Sequence, residues 1–280
     1  MKVTFWGTRG SMAAPSATTV RYGGNTSCVA IEGSEKTVLV LDAGTGIQGL
    51  GASLPTDLSR VDILLTHLHM DHIQGLPFFA PLRRPGTEIH LWGPASTTLS
   101  LSARLQKYLS PPLFPVSVRE LSADLHFHEL PADKVEIGEF SIQAQLIIHP
   151  NPTVGYRIQC AGAAVTYLPD HEPALGARDF PLDSDWTSGY TLAEGSDLLI
   201  HDSQYTDNEY QERVGFGHSS IRQAFRFAQL TQVKHFAPFH YDPTHSDDEL
   251  DRMIDEAKSD AQPSYAVTAG REGLSLEIVC

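Results

Sequence analysis

The chain is poor in three things. Cysteine occurs only three times in 280 residues, at Cys28, Cys160 and Cys280. An odd number without close pairing excludes a disulfide scaffold and suits a reducing cytoplasm. Basic residues are scarce beside acidic ones, 20 Lys+Arg against 34 Asp+Glu, for a net charge of −14. That balance weighs against a groove wrapping long nucleic acid; a small anionic substrate stays compatible with it wherever a metal reverses the local field. Long apolar runs are missing too. The stretches 61–65 and 146–148 fall far short of the ~20 residues of a membrane span. The start, Lys2-Val-Thr-Phe-Trp6, lacks the ~7–15-residue apolar centre of a secretory signal. The expectation is a cytoplasmic protein with no membrane partner. Its 41% hydrophobic residues suffice for a globular chain, read as a single domain over residues 1–280.

Histidine is what the chain has in quantity, with thirteen copies. Their positions depend on the elements around them. Strand-like runs rich in Val, Ile, Leu and aromatics fall at 2–6, 28–32, 37–41, 61–65 and 88–92, and resume at 140–148, 154–160, 163–168, 197–200, 265–268 and 274–279. Helical spacing predicts helices over 97–109 and 220–228, and Ser246-Asp-Asp-Glu249 is a capping box opening a third. Many short strands with a few helices predict two sheets faced by helices, an α/β (α+β) layered domain.

Thr66-His67-Leu68-His69-Met70-Asp71-His72 directly follows the apolar run 61–65, so it lies at the C-terminal end of a strand. Three imidazoles and a carboxylate in six residues cannot all be buried without partners. Converging on one point, they form a donor set for Zn, Mn or Fe. Three more candidates sit just after strands: His149, Asp170 and His240. Seven ligands exceed one tetrahedral zinc and suit two ions sharing a carboxylate.

With these residues the chain resembles the metallo-β-lactamase superfamily, whose His-x-His-x-Asp-His signature is met at 67–72 and whose later motifs match His149, Asp170 and His240. The resemblance runs from Thr4-Phe-Trp-Gly-Thr-Arg-Gly-Ser11 to the last strand. It implies a four-layer αββα sandwich and two divalent ions, Zn2+ first, with Mn2+ or Fe2+ as alternatives. By the same resemblance His67, His69 and His149 hold one ion, Asp71, His72 and His240 the other, and Asp170 bridges. Asp170 stands where true zinc β-lactamases commonly carry Cys, and His69 where the oxygen-reducing di-iron branch has Glu, so neither of those chemistries is expected.

Leu199-Ile200-His201-Asp202-Ser203-Gln204 resembles the His-Glu-Ala-Thr motif of the ribonuclease Z branch, with Asp202 in place of Glu, and Gly217-His218-Ser219-Ser220 resembles its catalytic His-Ser-Thr. The same pair occurs in cyclic-phosphate phosphodiesterases. Trp6–Ser11 and Arg21–Ser27 resemble stand-alone bacterial members grouped with cyclic-nucleotide phosphodiesterases. The expectation is therefore hydrolysis of a small phosphodiester by a metal-bridging hydroxide, with Asp71, His218 and Asp202 as the catalytic set, His218 being the general acid. Ribonuclease Z-like cleavage of RNA ranks second, because no basic Gly-rich insertion is present. A lactone or thioester hydrolase and a non-catalytic metal sensor are the other readings. Homodimers are common in the resembling branch, and no interface pattern here establishes one.

Of the remaining residues, His171 and His245 are candidates for substrate contact, and residues 7–11 for donating backbone N–H groups to a phosphate. His90 and His235 read as structural, and His201 as turned away from the site. His126 and His128 read as an exposed pair on one side of a strand, with an accessory ion as the second reading.

Overall fold

The computed structural model describes residues 1–34, 37–130, 134–175, 180, 181 and 183–279. Cys280 lies outside them, and neither Cys28 nor Cys160 forms a disulfide. The first sheet contains β1 (Lys2–Gly7), β2 (Cys28–Glu32), β3 (Val38–Leu41), β4 (Arg60–Leu64), β5 (Glu88–Pro94) and β6 (Asp124–Leu130). The second contains β7 (Val135–Ile137), β8 (Phe140–Leu146), β9 (Val154–Cys160), β10 (Ala163–Leu168), β11 (Leu198–Asp202), β12 (His235–Phe239) and β13 (Ala266–Val267), and β14 (Ser275–Glu277) returns to the first. Strand orders are β14-β1-β2-β3-β4-β5-β6 and β13-β12-β11-β10-β9-β8-β7.

The strands are apolar on both faces, which means both faces are covered. Along β3, Leu39 and Leu41 enter the layer between the sheets with Phe5, Tyr156 and Phe239, while Val38 and Val40 face the other way. That other face is covered by α1 (Ile47–Ser53) and α3 (Leu101–Tyr108), through Leu50, Leu101 and Leu105. The outer face of the second sheet is covered by α6 (Ile221–Leu230) and α7 (Asp247–Ala261); α2 (Met70–Ile73), α4 (Tyr190–Ala193) and α5 (Asp207–Glu212) are short. This is the four-layer αββα sandwich expected. The helical spacing puts Ile221, Ala224, Phe225 and Ala228 on one face of α6 and Leu250, Met253, Ile254 and Ala257 on one face of α7, and all eight are buried.

The predicted helix over 97–109 starts later, at Leu101, because the Ser100 side chain accepts from the Ala103 N–H and sets the cap there. Helix α1 was not predicted: Gly49 and Gly51 give its sequence low helix propensity, and packing supplies what propensity lacks. Among the described residues no helix is long and apolar enough to cross a membrane.

One half of each sheet is parallel: β3 to β6, and β10 to β13. Parallel strands deliver their C-terminal ends to one rim. The loops after β3, β4, β10, β11 and β12 leave from there, as does that after β8, which runs antiparallel to β9 as β9 does to β10. Arg9 ties this rim together. Its guanidinium is fully buried and donates to the carbonyls of Gly23 (2.9 Å), Asp242 (3.2 Å) and His245 (2.7 Å), with Asp247 at 3.5 Å.

Candidate metal centre

The rim gathers the seven histidines and carboxylates singled out above. Two groups have their ligand atoms within 4.8 Å of one another: His67, His69 and His149; and Asp71, His72, Asp170 and His240. His72 Nε2 lies 2.9 Å from Asp170 Oδ2 and 3.2 Å from Asp71 Oδ2, and His240 Nε2 lies 3.2 Å from Asp71 Oδ2 and 3.3 Å from Asp170 Oδ2. Asp170 Oδ1 is 3.8 Å from both His67 Nε2 and His149 Nε2, so this carboxylate stands between the groups.

Ring orientation is set from behind. Asp42, after β3, is fully buried; Oδ1 accepts from the Thr66 N–H at 2.8 Å, and Oδ2 from His72 Nδ1 at 2.8 Å and the Tyr167 hydroxyl at 3.0 Å. The Gln204 carbonyl accepts from His240 Nδ1 at 2.9 Å, and the Gly217 carbonyl from His149 Nδ1 at 2.8 Å. With each Nδ1 carrying its proton, the Nε2 atoms are bare lone pairs turned inward. His72 Nε2 and His240 Nε2 then face each other at 3.2 Å, a contact that calls for a proton or a cation between them. His67 Nε2 and Asp170 Oδ2 are buried without a hydrogen-bond partner. Converging buried acceptors repel, and a divalent cation is the species that reconciles them. The donor set fits two such ions.

The electrostatics agree. Burial opposes charge on Asp71 and Asp170, yet the surrounding imidazoles hold both carboxyls well below their ordinary range. Burial opposes charge on His72 as well, yet Asp170, Asp71 and Asp42 raise it well above the usual value. Three carboxylates therefore draw positive charge to this point, as protons or as metal. His67 and His149 are pushed down by burial, His149 to about 4, which keeps their rings neutral as ligands must be.

His218 sits beside this set in a different way. Its Nδ1 lies 2.7 Å from Asp202 Oδ2, its ring stacks on His240 at 5.2 Å between centroids, and it keeps a little exposed surface. Asp202, at the end of β11, also accepts from the backbone N–H groups of His171, Gln204 and Ser219. Burial pushes the His218 ring down, but Asp202 outweighs it and the pKa rises to about 8. His218 also falls within ligand distance of two candidate groups; with Nδ1 committed to Asp202 at 2.7 Å, we read it as an anchored imidazole rather than a ligand. The loop carrying it is fastened by buried Glu172, whose carboxylate accepts from the N–H groups of Gly215 and Gly217 and from the Tyr210 hydroxyl. Gly217 has φ +85, and a Cβ there would lie 2.4 Å from His149 Nδ1.

Several expectations need correction. His171 has no exposed surface; its ring pairs with His201 Nε2 at 2.9 Å and packs edge-on to Phe227. His245 is buried and pairs with Glu209 at 3.0 Å, while its carbonyl serves Arg9. The N–H groups of residues 8–11 are spent inside the protein, on Asn25, Tyr241 and, for Ser11, Asp71 Oδ2 at 2.8 Å, so none is left for a phosphate. Residues that sequence reading missed are Asp42, read only as a turn, and Gln204 and Glu172, whose partners lie 30 or more residues away. No local signal marks Asp42, whose side-chain partners lie 24, 30 and 125 residues away.

A family model described as a beta-lactamase superfamily domain matches residues 37–241. The chain is similar to the Ribonuclease Z of Staphylococcus epidermidis, 24% identical over 93% of this chain and 94% of that one. It is similar to the Ribonuclease Z of Thermoplasma acidophilum at 25%, over 95% and 93%. Among solved structures, the metallo-beta-lactamase fold protein YhfI from Bacillus subtilis superposes with TM-score 0.71 at 21% identity, covering 98% of each chain. The short form of human tRNase Z gives 0.68 at 22% with both chains fully covered, and a diphosphatase from the PhnP family 0.69 at 17%, over 99% of this chain and 97% of that one. With the sandwich, the rim loops and a family match spanning most of its length, the chain belongs to the beta-lactamase superfamily.

Proposed function

We propose that the protein is a metal-dependent hydrolase of phosphodiesters, acting on a small diester such as a cyclic nucleotide, with the whole chain 1–280 as one catalytic domain. The observation that carries this is the Asp202–His218 pair, 2.7 Å apart, set beside seven gathered ligand-type side chains. His67, His69 and His149 would hold one ion, Asp71, His72 and His240 the other, and Asp170 would touch both. Bound there, divalent ions, Zn2+ first, would balance phosphoryl charge and lower the pKa of water.

The chain's own residues do the rest. Asp42 and Gln204 fix the His72 and His240 rings. Asp202 holds the proton on His218 Nδ1 and stabilises the charged imidazole, so that Nε2 can give a proton to the departing alkoxide oxygen. Ser11 N–H donates to Asp71 Oδ2 at 2.8 Å, the same oxygen that His72 Nε2 and His240 Nε2 face, and so fixes that carboxylate.

The relatives named Ribonuclease Z favour a second reading, an RNA endonuclease. The net charge of −14 weighs against long RNA, but those relatives lend that exclusion no support. The test is hydrolysis of bis(p-nitrophenyl) phosphate, p-nitrophenyl acetate, a lactone and a pre-tRNA by the zinc- or manganese-loaded protein. Diester turnover should fall ~10²-fold or more in His218→Ala while the metal content per chain is unchanged. Loss of metal in step with activity would make His218 a ligand. Ester or lactone turnover indifferent to His218, or two ions and no turnover, would overturn the reading.

A further inference from the structure

A second histidine cluster lies on the same sheet, away from the rim. In the parallel register of β4, β5 and β6, Asp62, His90 and His126 form one row across three strands, and Leu64, Trp92 and His128 the next. The row crosses the middle of β4 and sits nearer the starts of β5 and β6, whereas the histidine loop 66–75 follows the end of β4. The sequence reading paired His126 with His128; across the strands the partnership is different.

His90 and His128 lie in nearly one plane, 3° apart, with His90 Nδ1 and His128 Nε2 at 2.9 Å, an in-plane hydrogen bond. His128 is held by the Trp92 ring stacked on it at 3.8 Å. A proton on His90 Nδ1, donated to His128 Nε2, leaves His90 Nε2 as a bare lone pair. That atom is buried and has no hydrogen-bond partner. Its neighbours are Glu88 Oε2 at 3.6 Å and the His126 ring, 4.5 Å away between centroids. The ligand atoms of Glu88, His90 and His126 lie within 4.8 Å of one another.

The nearby carboxylate of Asp62 is not available. Arg60 takes both its oxygens, at 2.8 and 2.9 Å, and Trp92 Nε1 donates to Oδ1 at 2.9 Å. That ion pair also keeps the Arg60 charge satisfied, leaving Glu88 as the open carboxylate. Burial holds the His90 and His128 rings below their ordinary values, so both are neutral near pH 7. His126 is exposed and free to turn about its side-chain torsions at little cost.

We infer that Glu88, His90 and His126 form a further cation site, taking a borderline transition metal such as Zn2+ or Cu2+ through two imidazoles and one carboxylate, with His128 orienting His90. Two nitrogens and an oxygen are a donor set suited to these ions rather than to Mg2+ or Ca2+. The half-buried His90, oriented by His128 and with its Nε2 atom buried, is the anchor, and the two exposed partners close on the ion when it arrives.

The experiment is equilibrium dialysis of the full chain against Zn2+ with metal analysis, beside His90→Ala and His126→Ala. Each variant should carry one ion per chain fewer than the unchanged protein, with circular dichroism and bis(p-nitrophenyl) phosphate turnover preserved. Cu2+ added to the zinc-loaded protein should give an electron paramagnetic resonance spectrum with nitrogen superhyperfine lines from two imidazoles, absent in both variants. His128→Phe should weaken the site ~10–100-fold without removing a ligand. Equal metal content in the unchanged and variant proteins overturns the inference, as does a copper spectrum that survives His90→Ala. The comparison is a difference between variants, so it stands or fails separately from the hydrolase reading.

Discussion

Two buried carboxylates grip an imidazole in the same way. Asp42 takes the Nδ1 proton of His72 at 2.8 Å, and Asp202 that of His218 at 2.7 Å. What differs is what the ring faces beyond. His72 Nε2 meets the bare Nε2 of His240 and two carboxylates, a point that draws a cation. Both rings stack on His240, but the His218 Nδ1–Asp202 pair lies outside that crowd of acceptors and its ring keeps some contact with solvent. A carboxylate behind a histidine therefore does not decide its work; the company of the opposite nitrogen does.

Breaking the first pair should have the largest effect. Asp42→Ala strands the Thr66 N–H, the Tyr167 hydroxyl and the His72 ring in a dry interior. We expect metal affinity to fall ~10–100-fold and stability by ~3–5 kcal/mol, read by metal content after dialysis and by denaturant unfolding. Intact metal binding would mean that Asp42 does not orient His72. Breaking the second pair should separate chemistry from metal: Asp202→Asn is expected to lower diester turnover ~10²-fold with both ions retained. Turnover equal to the unchanged protein would leave the pair without a catalytic part.

Gly217→Ala tests whether the two systems touch. Its Cβ would strike Pro150 and the His149 ring, and the residue would sit at φ +85. A loss of ~1–3 kcal/mol with reduced turnover is expected, and an unchanged melting temperature would contradict the tight fit. The smallest effect concerns the paired rings behind Asp202. Burial pushes His201 down to about 4, below its unfolded value, so the unfolded chain binds the extra proton. Stability is then complete above pH ~6.5 and falls toward pH 4, by at most ~1.4 kcal/mol per pH unit from this group. His201→Gln should flatten that slope in denaturation curves taken at pH 7, 6 and 5.

Much of this was legible in the chain. The six-residue run 67–72 carries its own spacing, and His149, Asp170 and His240 each follow an apolar strand, so a periodic reading of strands locates them. Ser246 announced its helix and is its N-cap; for the helix before it the sequence left Ser219 and Ser220 as alternatives, and Ser220 is the N-cap. Asp42 was not legible, because its partners lie 24, 30 and 125 residues away and nothing local distinguishes its carboxylate from that of a turn. His171 misled for the converse reason: adjacency to Asp170 suggested the cleft, but its ring is buried against His201 and Phe227. Gly49 and Gly51 hid α1, since propensity is local and the packing that holds that helix is not.

The Arg9 clamp has a consequence for how the molecule comes into being. It joins the first loop of the chain to the carbonyls of Asp242 and His245, and His72 meets His240 across 168 residues. Contacts of such sequence separation form late, after the loops between them have closed. A nascent chain that has emerged to residue 200 already displays His67, His69, Asp71, His72, His149 and Asp170, yet it lacks His218 and His240. Such a chain has most of the donors and none of the closure. The gathering of donors is thus completed only when the segments carrying His218 and His240 join the earlier ones.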